Sequence, residues 1–185
     1  MKRILVACEF SGIVREAFAA LGHDAWSCDL EPSEQPGQHI QGDVLNVLDE
    51  GWDLLIAHPP CTYLCNAGAR WWRQRQPEQQ QALAFVDLLL QAPVPQIALE
   101  NPEGCISTRI RRPSQIIHPW EYGEPYEKKT HLWLKNLPLL QPTQLMAQRE
   151  QRVWRMGESH HRSRDRSRTY PGIARAMAAQ WGGVV

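Results

Sequence analysis

A chain of 185 residues with 43% hydrophobic content can bury one good core, which suggests a single domain over residues 1–185. No apolar run approaches the ~20 residues that span a bilayer, and the N-terminus lacks a signal-peptide core and cleavage site, so no membrane partner is expected. The formal net charge is zero, but residues 1–105 hold 6 Lys/Arg against 14 Asp/Glu and residues 106–185 hold 14 against 6. A basic half on a neutral protein points to a polyanionic partner. Cysteines at 8, 28, 61, 65 and 105 are odd in number and show no paired framework, as expected of a reducing, cytoplasmic compartment.

The first element is Arg3-Ile4-Leu5-Val6-Ala7-Cys8, an apolar run of the length of a buried parallel strand. It breaks at Glu9-Phe10-Ser11-Gly12. Ile13, Val14, Ala17, Phe18 and Leu21 then recur at helical spacing up to Gly22. Strand, glycine turn and helix open a nucleotide-binding βαβ unit, in which Gly12 allows close backbone approach and the helix start offers free amides. Val14 and Arg15 stand where G-x-G-x-x-G would require otherwise, so a dinucleotide is poorly supported.

Asp24 to Cys28 form the next strand and close on Asp29, a carboxylate placed to accept ribose hydroxyls or simply a loop charge. A loop over 31–38 follows, then Gly42-Asp43-Val44. Leu54 to Ala57 is a short buried strand that ends in His58-Pro59-Pro60-Cys61. Two prolines fix the backbone and force the chain out of the sheet, presenting Cys61 beyond a strand's carboxyl end. Ligands bind there in open α/β sheets, and a thiol so placed is a candidate nucleophile. The alternative is a turn ending in an inert, half-buried cysteine.

Tyr63, Arg70, Trp71, Trp72, Arg73 and Arg75 then interleave aromatic and basic side chains. Such a stretch suits nucleic acid, or equally a helix with arginines lying over a tryptophan-lined core face. The pattern from Glu78 through Leu83, Phe85, Val86 and Leu88 to Leu90 is an amphipathic helix ending near Pro93. Gln96-Ile97-Ala98-Leu99 is a further strand. It delivers Glu100-Asn101-Pro102 to the same crevice as Cys61.

In this order the elements resemble the DNA cytosine-5 methyltransferases, which use S-adenosylmethionine on a class I Rossmann-like fold, a mostly parallel sheet with helices on both faces. Phe10-Ser11-Gly12 resembles the turn that holds the methionine end of the cofactor, Asp29 the ribose carboxylate and Gly42-Asp43 the adenine pair. Pro59-Pro60-Cys61 resembles the motif whose thiol is the nucleophile, with Pro59 on the cofactor side; Glu100-Asn101 resembles the Glu-Asn pair on the substrate side. Gly172-Ile173-Ala174 resembles the segment that closes the cofactor pocket, which puts Ile173 against S-adenosylmethionine. The likeness runs from about residue 4 to about residue 182. Asp24 to Leu30, His58 to Cys65 and Arg168 to Gly172 are similar to small phage-encoded members, which implies a bacterial or phage-infected cell. His58 departs from the family's glycine and Pro102 from a β-branched residue. Lys128 to Leu134 occupies the place of a Gln-x-Arg-x-Arg segment, and Lys129 is expected on the substrate side.

The chemistry fits the resemblance. Carbon-5 of cytosine is a poor nucleophile, and a thiolate adding at carbon-6 raises electron density at carbon-5, which is covalent catalysis. Glu100 would protonate or hydrogen-bond N3 and the exocyclic amine if burial raises its pKa.

Arg109, Arg111 and Arg112 are expected in a flexible loop over 107–112. Seven arginines fall within 149–168, among them Arg162, Arg164, Arg166 and Arg168, in a loop-like 141–170 segment standing where larger members insert a target-recognition domain. These arginines and Arg109 are expected on DNA phosphates, which hold a strand without reading it, single-stranded DNA being the cheaper substrate. His58, Cys61, Cys65 and Cys105 lack a Cys-x-x-Cys pair, so no metal is expected. An enzyme acting on a free cytosine nucleotide or another base, and an inactive DNA-binding relative, stay open. So do a monomer and a homodimer.

Overall fold

Two apolar runs, β1 (Arg3–Ala7) and β4 (Leu54–Ala57), lie side by side at the centre of a seven-stranded sheet. The computed structural model describes residues 1–150 and 162–183, with only the backbone of Arg162, Ser163 and Arg166. In chain order the other elements are α1 (Ile13–Ala19), β2 (Asp24–Asp29), β3 (His39–Gln41), α2 (Gln76–Leu90), β5 (Gln96–Pro102), α3 (Ile106–Arg109), β6 (Gln115–Ile117), β7 (Thr130–Lys135), α4 (Arg162–Ser167) and α5 (Pro171–Trp181). The sheet order is β3-β2-β1-β4-β5-β7-β6. The first five strands are parallel, and β7 runs antiparallel to both β5 and β6. The fold is mixed α/β.

Side-chain alternation divides the core. Leu5, Ala7, Leu55, Ala57, Ile97 and Leu99 point to the face covered by Val86 and Leu89 of α2. Ile4, Val6, Leu54, Ile56 and Ala98 point to the face covered by Val14 and Phe18 of α1 and by Ile173, Met177 and Trp181 of α5. Strands buried on both faces tolerate no polar side chain along their length. Leu55, fully buried, would cost about 2–5 kcal/mol if cut back to alanine. Polarity begins where the strands stop, at Glu9, His58 and Glu100.

The chain steps outward from β1 to β3 and then returns to the other side of β1 as β4. The reversal leaves a crevice outside the carboxyl ends of β1 and β4, where open α/β sheets bind ligands.

Two expectations change. The 107–112 loop opens instead as α3, where the Thr108 hydroxyl donates to the Cys105 carbonyl at 3.1 Å. Of the 141–170 segment, 141–150 is irregular, 151–161 lies outside the described residues, and α4 is helical. Among the described residues no helix is long and apolar enough to cross a membrane.

Candidate active site

Parallel pairing of β4 with β5 matches Ala57 to Leu99. One residue further, His58 Nδ1 lies 3.2 Å from Glu100 Oε2. Two residues further, Asn101 Nδ2 donates to the Pro59 carbonyl at 2.8 Å. The ladder therefore continues through side chains after its backbone pairing ends, and it pins the proline turn that carries Cys61.

Cys61 itself starts a helical turn, its carbonyl accepting from the amides of Leu64 and Cys65, both at 3.0 Å. That turn is seated on the β5–α3 connection by hydrogen bonds from Asn66 N to Glu103 O and from Cys105 N to Leu64 O, both at 2.9 Å. A Cβ on Gly104 would stand 1.9 Å from the Leu64 carbonyl, so only glycine permits this approach. The half-buried Cys61 thiol is pushed far up in pKa. A hydrogen bond with Cys65 is the largest cause, followed by burial and by the charges of Cys65 and Glu100; Lys128 pulls the other way.

Glu100 behaves differently from expectation. Burial works to raise its carboxyl, but the His58 hydrogen bond, then Lys128 and the His58 charge, outweigh it and hold it below the ordinary value. The acid expected from sequence is thus a carboxylate, because its site supplies positive neighbours as well as low dielectric. Glu100 lines a small cleft, partly open to solvent, with Lys128, Thr130, Thr169, Tyr170 and Ile173. Ile173 and Glu100 accordingly share one wall. Lys129, the cation expected there, instead pairs with Glu103 at 3.0 Å on the surface, and Lys128 takes the place facing Glu100.

Asn101, expected to face DNA, is 1% exposed and serves as a strut under Pro59. Its Oδ1 and the His58 Nε2 are buried with no hydrogen-bond partner among the described residues.

At the tips of β1–β3, Asp29 accepts from Glu31 N at 2.9 Å and Asp43 caps a 3-10 turn by accepting from Leu45 N at 3.0 Å. Burial pushes the Asp29 carboxyl up, against its backbone hydrogen bonds. Cys8, which sequence did not single out, adopts a left-handed φ of 58° at the end of β1. Its thiol is driven up by burial and then by the charges of Asp29, Cys28 and Asp43. The sole signal for it was position, the last residue of an apolar run.

Gly12 has φ 73° and precedes α1, whose first amides are not free as expected: Val14 N and Arg15 N donate to the buried Glu9 carboxylate at 2.7 and 3.2 Å. A Cβ on Gly12 would stand 2.6 Å from the Arg15 guanidinium. Arg15, fully buried, donates to Ser27, Ser33 and the carbonyls of Gln35 and Pro36, fixing the 33–36 loop.

No protein-family model matches the chain, and no curated protein matches it. Among solved structures, the fold is similar to that of a candidate DNA modification methyltransferase encoded within a prophage (E. coli), at 14% identity and a TM-score of 0.50. The match covers 79% of this chain and 52% of that one, so the chain spans about half the neighbour's length. The likeness is one of fold.

The arginines divide. Arg109 is exposed at the end of α3 and makes no ion pair among the described residues. Arg164 pairs with Glu31 at 2.8 Å and Glu34 at 3.0 Å, and Arg168 with Glu34 at 2.7 Å. Both guanidiniums lie over the Phe10 ring, 4.5 and 5.9 Å from its centroid. The side chains of Arg162 and Arg166 lie outside those described. Among the described residues no group of three or more His, Cys, Asp or Glu could hold a metal ion.

Proposed function

We propose that this protein is a DNA methyltransferase that uses S-adenosylmethionine to methylate carbon-5 of cytosine through a covalent adduct at Cys61. One observation carries the reading: the β4–β5 register sets the Cys61 turn and the His58–Glu100 pair side by side at the switch point of the sheet. The sheet order, which keeps a parallel 3-2-1-4-5 core, and the fold likeness to a methyltransferase support it.

The residues at the strand tips suit the cofactor. Asp29, whose carboxyl burial pushes up, would accept from ribose hydroxyls, and Asp43 from the adenine amine. Phe10, Gly12 and Pro59 would complete the cofactor site, and Ile173, which lines the cleft with Glu100, would meet the reacting end. When bound, S-adenosylmethionine supplies an electrophilic methyl group.

Cys61 supplies the electrons. Its thiolate adds to carbon-6 of cytosine, and the ring's electron density moves to carbon-5. Glu100, charged, accepts from the exocyclic amine, and on taking up a proton from solvent it donates to N3. The thiol's own proton leaves to solvent. Base binding relieves only the Glu100 part of what holds the thiol protonated, after the larger Cys65 hydrogen bond and burial, and Lys128 favours the anion. Loss of the carbon-5 proton then releases the thiolate.

Mass spectrometry of nucleosides from DNA incubated with the protein and labelled S-adenosylmethionine tests this. Label in 5-methyldeoxycytidine is expected. Label on an exocyclic nitrogen, or on no nucleoside, would contradict it.

A further inference from the structure

The stretch after Cys61 takes no part in the chemistry above. Residues 61–77 contain Arg70, Arg73 and Arg75 and no acidic residue. None of the three makes an ion pair among the described residues. Thr62, Tyr63, Gly68, Trp71, Trp72 and Arg75 line a second, shallow surface cleft.

Trp71 is 42% exposed, a large indole left partly to water. The Arg70 guanidinium sits 5.0 Å from its ring centroid, and the Arg75 guanidinium lies 5.9 Å from Tyr63 and 6.0 Å from Trp71. Trp72 lines the same cleft, and its indole N–H is buried with no acceptor among the described residues. Gln79 Nε2 donates to the Tyr63 carbonyl at 3.0 Å, so α2 holds the cleft in place. The Cys61 turn runs directly into it.

Unpaired guanidiniums call for a polyanion, and an open indole beside them calls for a planar ring. We infer that this cleft is a stacking site for an unpaired nucleobase of single-stranded DNA next to the target, with Arg70 and Arg75 on its phosphates. A base inside a duplex has both faces covered and reaches Trp71 only at the cost of unstacking, a few kcal/mol. The site therefore favours single strands and contributes affinity with little sequence preference, because every base has a π-face. The inference rests on the reading of Cys61 as the centre of transfer to cytosine, but its test does not.

Fluorescence anisotropy of a labelled oligothymidylate, without cofactor and at fixed ionic strength, reads the stacking alone, since no cytosine is present. Trp71→Ala is expected to weaken binding by about tenfold, or ~1.4 kcal/mol, with an unchanged salt slope because no charge is lost. Trp71→Phe should restore wild-type affinity, and Arg75→Ala should flatten the salt slope. The wild type should bind a duplex of equal length more weakly. Equal affinity of wild type and Trp71→Ala, or of single strand and duplex, would overturn the inference whether or not cytosine is methylated. Matching thermal midpoints show that the exposed Trp71 is not needed for folding.

Discussion

His58 and Glu100 face each other one residue past the last backbone pair of β4 and β5, with Nδ1 and Oε2 3.2 Å apart. The contact decides the charge of Glu100. Both side chains are nearly out of water, and burial alone would raise the carboxyl, yet the imidazole holds it down.

That balance gives a pH signature. A carboxyl below its ordinary value in the folded protein adds stability above the unfolded pKa of ~4.3, and the gain is lost as pH falls through the lower folded value. His58→Ala removes the hydrogen bond and the imidazole charge, leaving burial, the largest cause, opposed by Lys128 alone, so Glu100 moves up. Acid unfolding followed by circular dichroism is expected to begin at a higher pH in this variant. An equal or lower onset would show that His58 does not hold the charge.

Asn101→Ala separates a strut from a DNA contact. The substitution leaves the Pro59 carbonyl without its donor in a buried site, at a cost of about 1–3 kcal/mol. Urea unfolding should show that loss, while oligonucleotide affinity stays at the wild-type value. Unchanged stability with weakened DNA binding would put Asn101 on the substrate after all.

Much of the sheet was legible in sequence because β1, β2, β4 and β5 are apolar runs with polar ends. The three-residue strands β3 and β6 were not, since His39-Ile40-Gln41 and Gln115-Ile116-Ile117 are too short and too polar to show a period. Cys61 and Glu100 could be picked out as strand-end residues. Their partners could not: His58 and Asn101 acquire their roles from the register of two strands about 40 residues apart, a relation no local pattern contains. The exchange of Lys129 for Lys128 has the same origin. Neighbouring residues entering a strand point to opposite sides, and one lysine faces Glu100 while the other meets Glu103. Arg164 and Arg168 read as free phosphate ligands only until the 31–34 loop supplies their carboxylates.

Cys65 restrains its neighbour. Its hydrogen bond is the largest of the causes that push the Cys61 thiol up, and its charge ranks after burial. Cys65→Ala removes them, so the Cys61 pKa falls and a larger fraction is thiolate at a given pH. Iodoacetamide labelling of Cys61, followed by peptide mass spectrometry at mildly alkaline pH, should be faster in the variant. Slower or equal labelling would mean that Cys65 does not set the thiol.

The central claim is that Cys61 bonds to a cytosine ring during methyl transfer. Single-stranded DNA carrying 5-fluorocytosine, incubated with the protein and S-adenosylmethionine, should be trapped as a covalent complex, because fluorine cannot leave as the proton does. Intact mass spectrometry is expected to show protein plus oligonucleotide plus one methyl group, with the bond mapped to Cys61 and absent in Cys61→Ser. Methylated product without any adduct, or an adduct that persists in Cys61→Ser, would contradict the account.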